Sequence, residues 1–243
     1  MTGVGLLDEV IEAHGGRARW QSVDVIEASL SSGGLAFASR LQPYALRNLQ
    51  IAVQPHLRRV ELKNYCRAGW RGIWTPTHVE IRDGDGAVVS ERRDPRNQFG
   101  RFIKLVRWDK LDMLYFAGYA LWNYLSFPFL LESPGVEILC SNEGEPASSR
   151  QLTARFSEEV PTHSALQTFH IDHEGLLTRH DYTADLIGRW ATAANRCLAS
   201  AVVAGLRFYT RRRVTPRFGQ KLVLPLPTLV WIELDNIRLG STK

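Results

Sequence analysis

The stretch YFAGYALWNYLSFPFLL, residues 115–131, constrains the fold more than any other part of the chain, because it is the most apolar and most aromatic segment of a polar, basic sequence. It is too short and too interrupted to cross a bilayer, which takes roughly 20 consecutive apolar residues. Asp109, Lys110 and Asp112 lie just before it, Asn123 breaks it and Pro128 stops the regular helix. A helix that is apolar on nearly every side must be surrounded by protein. The segment therefore predicts a buried helix over about 109–127, with Asp109 as N-cap, Asp112 at N3 as a carboxylate version of the capping box, and Trp108 stapled to Met113.

Tyr115, Tyr119 and Trp122 share one face of that helix by the i, i+4, i+7 rule, with Phe116 beside them. Gly118 lets another backbone or a ligand come close. Core filling explains such a stripe. A ligand pocket explains it too, because two phenols and an indole N–H each need a partner when buried.

The rest of the chain reads as short strands. VDVIEASLSS, LAFASRL, LRNLQIAVQ, LRRVELKN, WRGIWT, HVEIRDGDG and AVVSER precede the helix. VEILCSN, RQLTARFS, SALQTFHI, LLTRHDYTA, NRCLASAVV, LRFYTRRRVT and TLVWIELDNIRL follow it. Each is alternating or β-branched and bounded by turn residues, and DGDG at 83–86 is a hairpin turn. LLDEVIEAHGG forms a short amphipathic N-terminal helix, residues 3–14, stopped at Gly15 or Gly16. A turn around Arg17–Ser22 tucks Trp20 inward. No linker or repeat is visible, so the expectation is one α+β domain over 1–243: a large, strongly curved, unclosed antiparallel sheet wrapped around the apolar helix.

The 243 residues are 44% hydrophobic, enough for a substantial core. The net charge of +5 does not imply nucleic acid, because basic residues alternate with acids through the strands, as in VEIRDGDGAVVSERRDP. The three cysteines are far apart and odd in number, and no HxH, HExxH or His-Cys spacing appears, so neither a disulfide framework nor a metal is expected. No GxGxxG, P-loop or GxSxG motif calls for a nucleotide cofactor or a hydrolase triad. The opening residues show no basic-then-apolar signal, so the expectation from the sequence is a cytoplasmic protein without membrane insertion. A homodimer is compatible with these features.

Candidate polar site residues lie in THSALQTFHIDHEGLLTRHDY, 162–182. Asp172-His173-Glu174-Gly175 has the signature of a type I turn followed by a G1 bulge. Regular pairing from that turn sets Phe169 opposite Arg179 and Gln167 opposite Asp181. One face then carries His163, Gln167, Phe169, Ile171, Leu177, Arg179 and Asp181, and the other carries Leu166, Thr168, His170, Thr178, His180 and Tyr182. In TRRRV, Arg212 points inward and needs an anion: Asp181, Asp235 or a ligand oxygen.

The segments AHGGRARW, LYFAGYALWNYLSFPFLL, THSALQTFHIDHEGLLTRHDY and TRRRV resemble, over nearly the whole chain, a widespread family of uncharacterised bacterial proteins. That resemblance implies a fold similar to the lipoprotein carriers LolA and LolB, an unclosed antiparallel half-barrel with helices on its concave side. The chain is also faintly similar to cofactor-free cyclases of natural-product clusters, including carbazole-forming ones.

Two functions fit these readings. The first is a cofactor-independent enzyme that cyclises, dehydrates, aromatises or isomerises a lipophilic, aromatic or polyketide-like carbonyl compound. His163 would act as base or acid, with Asp181 as its partner or that of Arg179. Arg179 or Arg212 would hold the oxyanion, Tyr115 and Tyr119 would donate hydroxyls, and Phe116, Gly118, Trp122, Gln167 and Phe169 would line the ligand. The second is a carrier or sensor that holds such a molecule unchanged.

Overall fold

The computed structural model describes residues 3–142, 150–219 and 222–240. Along the chain run α1 (Gly3–Ala13), α2 (Arg17–Gln21), β1 (Val25–Gly33), α3 (Leu35–Ala38), β2 (Leu49–Gln54), β3 (Arg59–Lys63), β4 (Arg71–Thr75), β5 (His78–Arg82) and β6 (Val88–Arg93). The second half holds α4 (Lys110–Ser126), β7 (Val136–Asn142), β8 (Gln151–Phe156), β9 (Leu166–Ile171), β10 (Leu177–Thr183), β11 (Thr192–Val203), β12 (Leu206–Phe218), β13 (Leu222–Val223) and β14 (Val230–Gly240). These elements fall into two compact units.

The first unit comprises residues 23–125 and 228–243. Its strands run in the order β6-β5-β4-β3-β2-β1-β14, all antiparallel. Six are a simple meander, and β14 returns from the far end of the sequence to pair with β1. The β5–β6 turn is the DGDG hairpin: Asp83 Oδ1 accepts from the backbone N–H of Asp85 and Ala87, and Gly86 takes a φ of 88°. The expected strand LAFASRL is instead the short helix α3. Gly34, at φ 130°, turns the chain so sharply that the N–H groups of Leu35 and Ala36 bond to Thr228 and Leu229 carbonyls rather than to a strand. A two-residue period over so few residues does not outweigh that glycine turn.

The apolar helix is α4, and every residue from 111 to 131 is buried. Its start is the reciprocal carboxylate cap expected from the sequence. Asp109 Oδ1 accepts from the Asp112 N–H and Asp112 Oδ2 accepts from the Asp109 N–H, each at 2.9 Å. Asp112 is fully buried and also receives Arg92 Nη1 at 2.7 Å and the Lys104 ammonium. Burial pushes the Asp109 carboxyl up, but the Arg92 hydrogen bond, the Asp112 N–H and the nearby cations outweigh it and hold it at about 2. Trp108 packs its ring on Phe116, 5.1 Å between centroids. Pro128 follows the last turn and cannot extend it.

The second unit comprises residues 1–22 and 126–227, with strand order β12-β11-β10-β9-β8-β7 and β13 paired to β12. It too is an antiparallel meander that does not close on itself. In α1, Leu6, Leu7, Val10 and Ile11 are buried on one face, and the helix ends at Gly15 and Gly16, both at positive φ. A Cβ on Gly15 would lie 2.1 Å from the Gly205 carbonyl oxygen, so only glycine permits this approach. Trp20 tucks inward and stacks on Phe129 at 4.5 Å. Among the described residues no helix is long and apolar enough to cross a membrane.

Candidate functional site

The β9–β10 hairpin decides where the candidate polar groups go. Its turn is the expected one: Gly175 N–H bonds to Asp172 O, Gly175 has φ 77°, and Asp172 N–H bonds to Leu176 O. Regular pairing continues for one step, Leu177 opposite Ile171. A second bulge then intervenes at Thr178, so that Arg179 opposes His170, His180 opposes Phe169 and Asp181 opposes Thr168. One extra residue flips every later side chain on β10 to the other face. The face assignments from the sequence are therefore corrected beyond Leu177: His180 and Tyr182 join Gln167, Phe169 and Ile171, while Arg179 and Asp181 leave them. Sequence alone carries no signal for this bulge.

The face that gains His180 is closely packed and polar. His180 Nε2 donates to Gln167 Oε1 at 2.6 Å, and Gln167 Nε2 donates to Thr162 Oγ1 and to the Ser164 carbonyl. The His180 ring stacks on Phe169 at 4.3 Å, and Phe169 stacks on Phe127. His163 lies flat on Tyr182, centroids 3.9 Å apart and planes within 6°. Burial, and then the charges of His163, Arg212 and His170, push His180 well below the usual imidazole range, so it is neutral.

Asn195 of β11 stands directly opposite His180 on this face and opposite Val214 of β12. It is 0% exposed, and among the described residues neither its Oδ1 nor its Nδ2 has a hydrogen-bond partner. Arg212 of β12 is buried as expected, donating to Cys197 Sγ at 3.4 Å with its guanidinium 5.1 Å over the Tyr209 ring. His14 of α1 is tied into the same unit by Nδ1 to Val10 O and Nε2 to Tyr209 OH, and Tyr209 OH accepts the Leu177 N–H. Neither His14 nor Asn195 is marked by any linear motif.

On the opposite face Asp181 is buried beside Arg179 Nε at 2.9 Å, the His170 ring Nε2 at 3.0 Å and Arg217 Nε at 3.7 Å. The pairing of Arg179 with Asp181 is present. His163 stacks on Tyr182, whose side chain projects from the other side of β10.

Tyr115, Phe116, Gly118, Tyr119 and Trp122 lie in the other unit, on α4. The Trp122 indole donates to Pro55 O at 2.9 Å, and the Tyr115 hydroxyl is hydrogen-bonded to Arg96, while burial pushes it above the ordinary phenol value. Tyr119 is packed against the rings of Tyr115 and Phe116. The space that Gly118 opens is filled by Trp74 of β4. In the same unit His78, Glu80 and Glu91, on adjacent strands, bring ligand atoms within 4.8 Å of one another. A cross-strand grouping of this kind is invisible to linear metal motifs. Here His78 bonds to Glu91 and Arg82 to Glu80.

No family model and no curated protein sequence matches the chain. Solved structures do. A LolA superfamily protein from Nitrosomonas europaea superposes with a TM-score of 0.54 at 10% identity, covering 100% of this chain and 96% of that one. The fold is LolA-like. A DUF1329 family protein from Desulfovibrio piger matches with TM-score 0.51 and 10% identity over 97% and 92% of the two chains. A domain from Vibrio parahaemolyticus assigned to outer membrane lipoprotein sorting matches with TM-score 0.51 and 8% identity over 98% and 92%. At such identities the LolA-like match speaks for the fold alone. None of these three structures is described as a cyclase.

Proposed function

We propose that the protein binds and carries a lipophilic molecule with a polar head, without transforming it. The observation that supports this reading is Asn195. A primary amide with both ends buried and unpaired is costly, roughly 1–3 kcal/mol for each unmet group, and a ligand oxygen or N–H beside it would remove that cost. Val214 stands opposite it on β12 and His180, a neutral neighbour, opposite it on β10, with Phe169 stacked on the His180 ring on the same face. The fold, shared with a domain assigned to lipoprotein sorting, agrees with carriage. The Asp181 carboxylate, expected from the sequence to partner His163 or Arg179, lies against Arg179, His170 and Arg217.

The test uses Asn195→Leu, which keeps the volume and removes the orphaned amide. The apo protein gains about 1–3 kcal/mol in denaturant unfolding, while binding of the fluorescent lipophile 1-N-phenylnaphthylamine and recovery of co-purifying lipid in solvent extracts both fall at least tenfold. Unchanged binding in this variant refutes the reading. Recovery of a chemically altered ligand after incubation restores the enzyme reading.

A further inference from the structure

A second site, in the other unit, goes beyond this reading. A depression of about 500 Å³ opens between the loop at 41–45, the turn at 64–68 and the start of α4. Arg47, Arg67 and Lys110 line it, and no carboxylate does. Elsewhere in this unit several bases are matched by acids: Arg59 and Arg71 with Glu61, Lys63 with Glu27, Arg82 with Glu80 and Arg92 with Asp109. Arg47, Arg67 and Lys110 have no ion-pair partner among the described residues. Three like charges converging on one hollow repel one another unless an anion joins them.

The two arginines are also held ready. The Arg47 guanidinium lies 4.3 Å over the Trp231 ring and that of Arg67 lies 4.9 Å over Trp70. A guanidinium laid flat on an indole keeps its N–H edge oriented for a two-oxygen acceptor. Lys110 Nζ is steadied by Gln42 Oε1 at 3.0 Å. Among the lining residues Leu41 is 67% exposed and Tyr44 76%, apolar surface beside the exposed Arg47, Arg67 and Lys110. Leu41, Asn64 and Cys66, all lining the hollow, have φ of 62°, 63° and 68°. Left-handed backbone in residues other than glycine is costly and gathers at ligand sites.

We infer that this depression binds a phosphate monoester attached to an apolar body. A phosphate monoester carries close to two charges at neutral pH and three oxygens, which suits two forked donors and an ammonium better than a single carboxylate does. A lipid headgroup and a soluble organic phosphate present the same chemistry to the site.

Titration calorimetry of the whole protein at low salt with hexyl phosphate, inorganic phosphate and hexanoate tests the assignment. Hexyl phosphate binds one to one, at least about tenfold tighter than either fragment, and Arg47→Gln and Arg67→Gln each weaken it about tenfold, the loss of one charge-assisted hydrogen bond. Circular dichroism of both variants confirms that they remain folded. Vesicles of phosphatidylcholine with one-tenth phosphatidic acid distinguish the sources. Sedimentation with these vesicles, reversed by hexyl phosphate, identifies the ester as a lipid headgroup; hexyl phosphate binding without sedimentation identifies it as soluble. The inference is overturned if hexyl phosphate does not bind at millimolar concentration, if hexanoate binds as well, or if the folded arginine variants bind unchanged. That failure leaves the carrier reading standing, because the carrier reading rests on Asn195.

Discussion

Replacing Gly118 by alanine pits two calculable effects against each other. In the middle of a helix the change favours folding by about 1 kcal/mol, since alanine is the better helix former and glycine loses more backbone entropy. Against it stands the ring of Trp74. A Cβ at position 118 would lie 2.2 Å from Trp74 Cγ, 2.5 Å from its Cβ and 2.6 Å from its Cδ1. Trp74 is fully buried on β4, paired on one side to Val60 and on the other to Val79, so its Cβ moves only if the ladder moves. Overpacking typically costs about 1–3 kcal/mol, and contact with a ladder-held Cβ puts this site at or above the top of that range. The net expectation is a loss of at least about 2 kcal/mol, or about 4–8 °C in Tm for a chain of this size. Urea unfolding followed by tryptophan fluorescence measures it. Trp74→Ala in the same chain relieves the contacts to Cγ and Cδ1 but not the one to Cβ, so the double variant loses less than the sum of the two singles without regaining the single-variant stability of Trp74→Ala. If Gly118→Ala is as stable as the parent or more so, the close helix–strand contact is not what requires glycine here.

Two further outcomes follow from buried titratable groups. Burial, only partly offset by the bond to the Val10 carbonyl, holds His14 at about 4 against an ordinary 6.5. Between those values the unfolded chain binds the proton that the folded chain refuses, so stability is complete above about pH 6.5 and declines as pH falls toward 4. His14→Gln flattens that part of the Tm–pH curve, leaving the contribution of His180, which acts in the same direction; an unchanged slope refutes the assignment. Asp112→Asn leaves Arg92 and Lys104 without their buried carboxylate and lowers stability by about 3 kcal/mol in denaturant unfolding, whereas a loss below about 1 kcal/mol shows that Asp109 alone suffices for them.

Local chemistry made most of the architecture readable before any coordinates. Most of the alternating strands (LAFASRL apart), the DGDG turn, the Asp109–Asp112 cap, the glycine stop after α1 and the inward Arg212 each depend on residues close in sequence, and each appears where the sequence puts it. The apolar run at 115–131 had to be buried because no short helix of that composition is stable in water. What the sequence left open was every relation that depends on register or on distant partners. The bulge at Thr178 has no residue signature, since many residues tolerate the extended or near-helical backbone it requires, yet it moves His180 and Tyr182 to one face and Asp181 to the other. Whether Gly118 faces a ligand or Trp74 depends on a strand forty-four residues away. Asn195 is unremarkable as a letter in NRCLASAVV; it becomes a candidate ligand contact only when the two flanking strands bury its amide and, among the described residues, nothing partners it. Propensity and capping act within a turn or two of chain, whereas pairing register and burial are set by the whole ladder, and so the elements were legible in the sequence while the faces of the site were decided by tertiary structure.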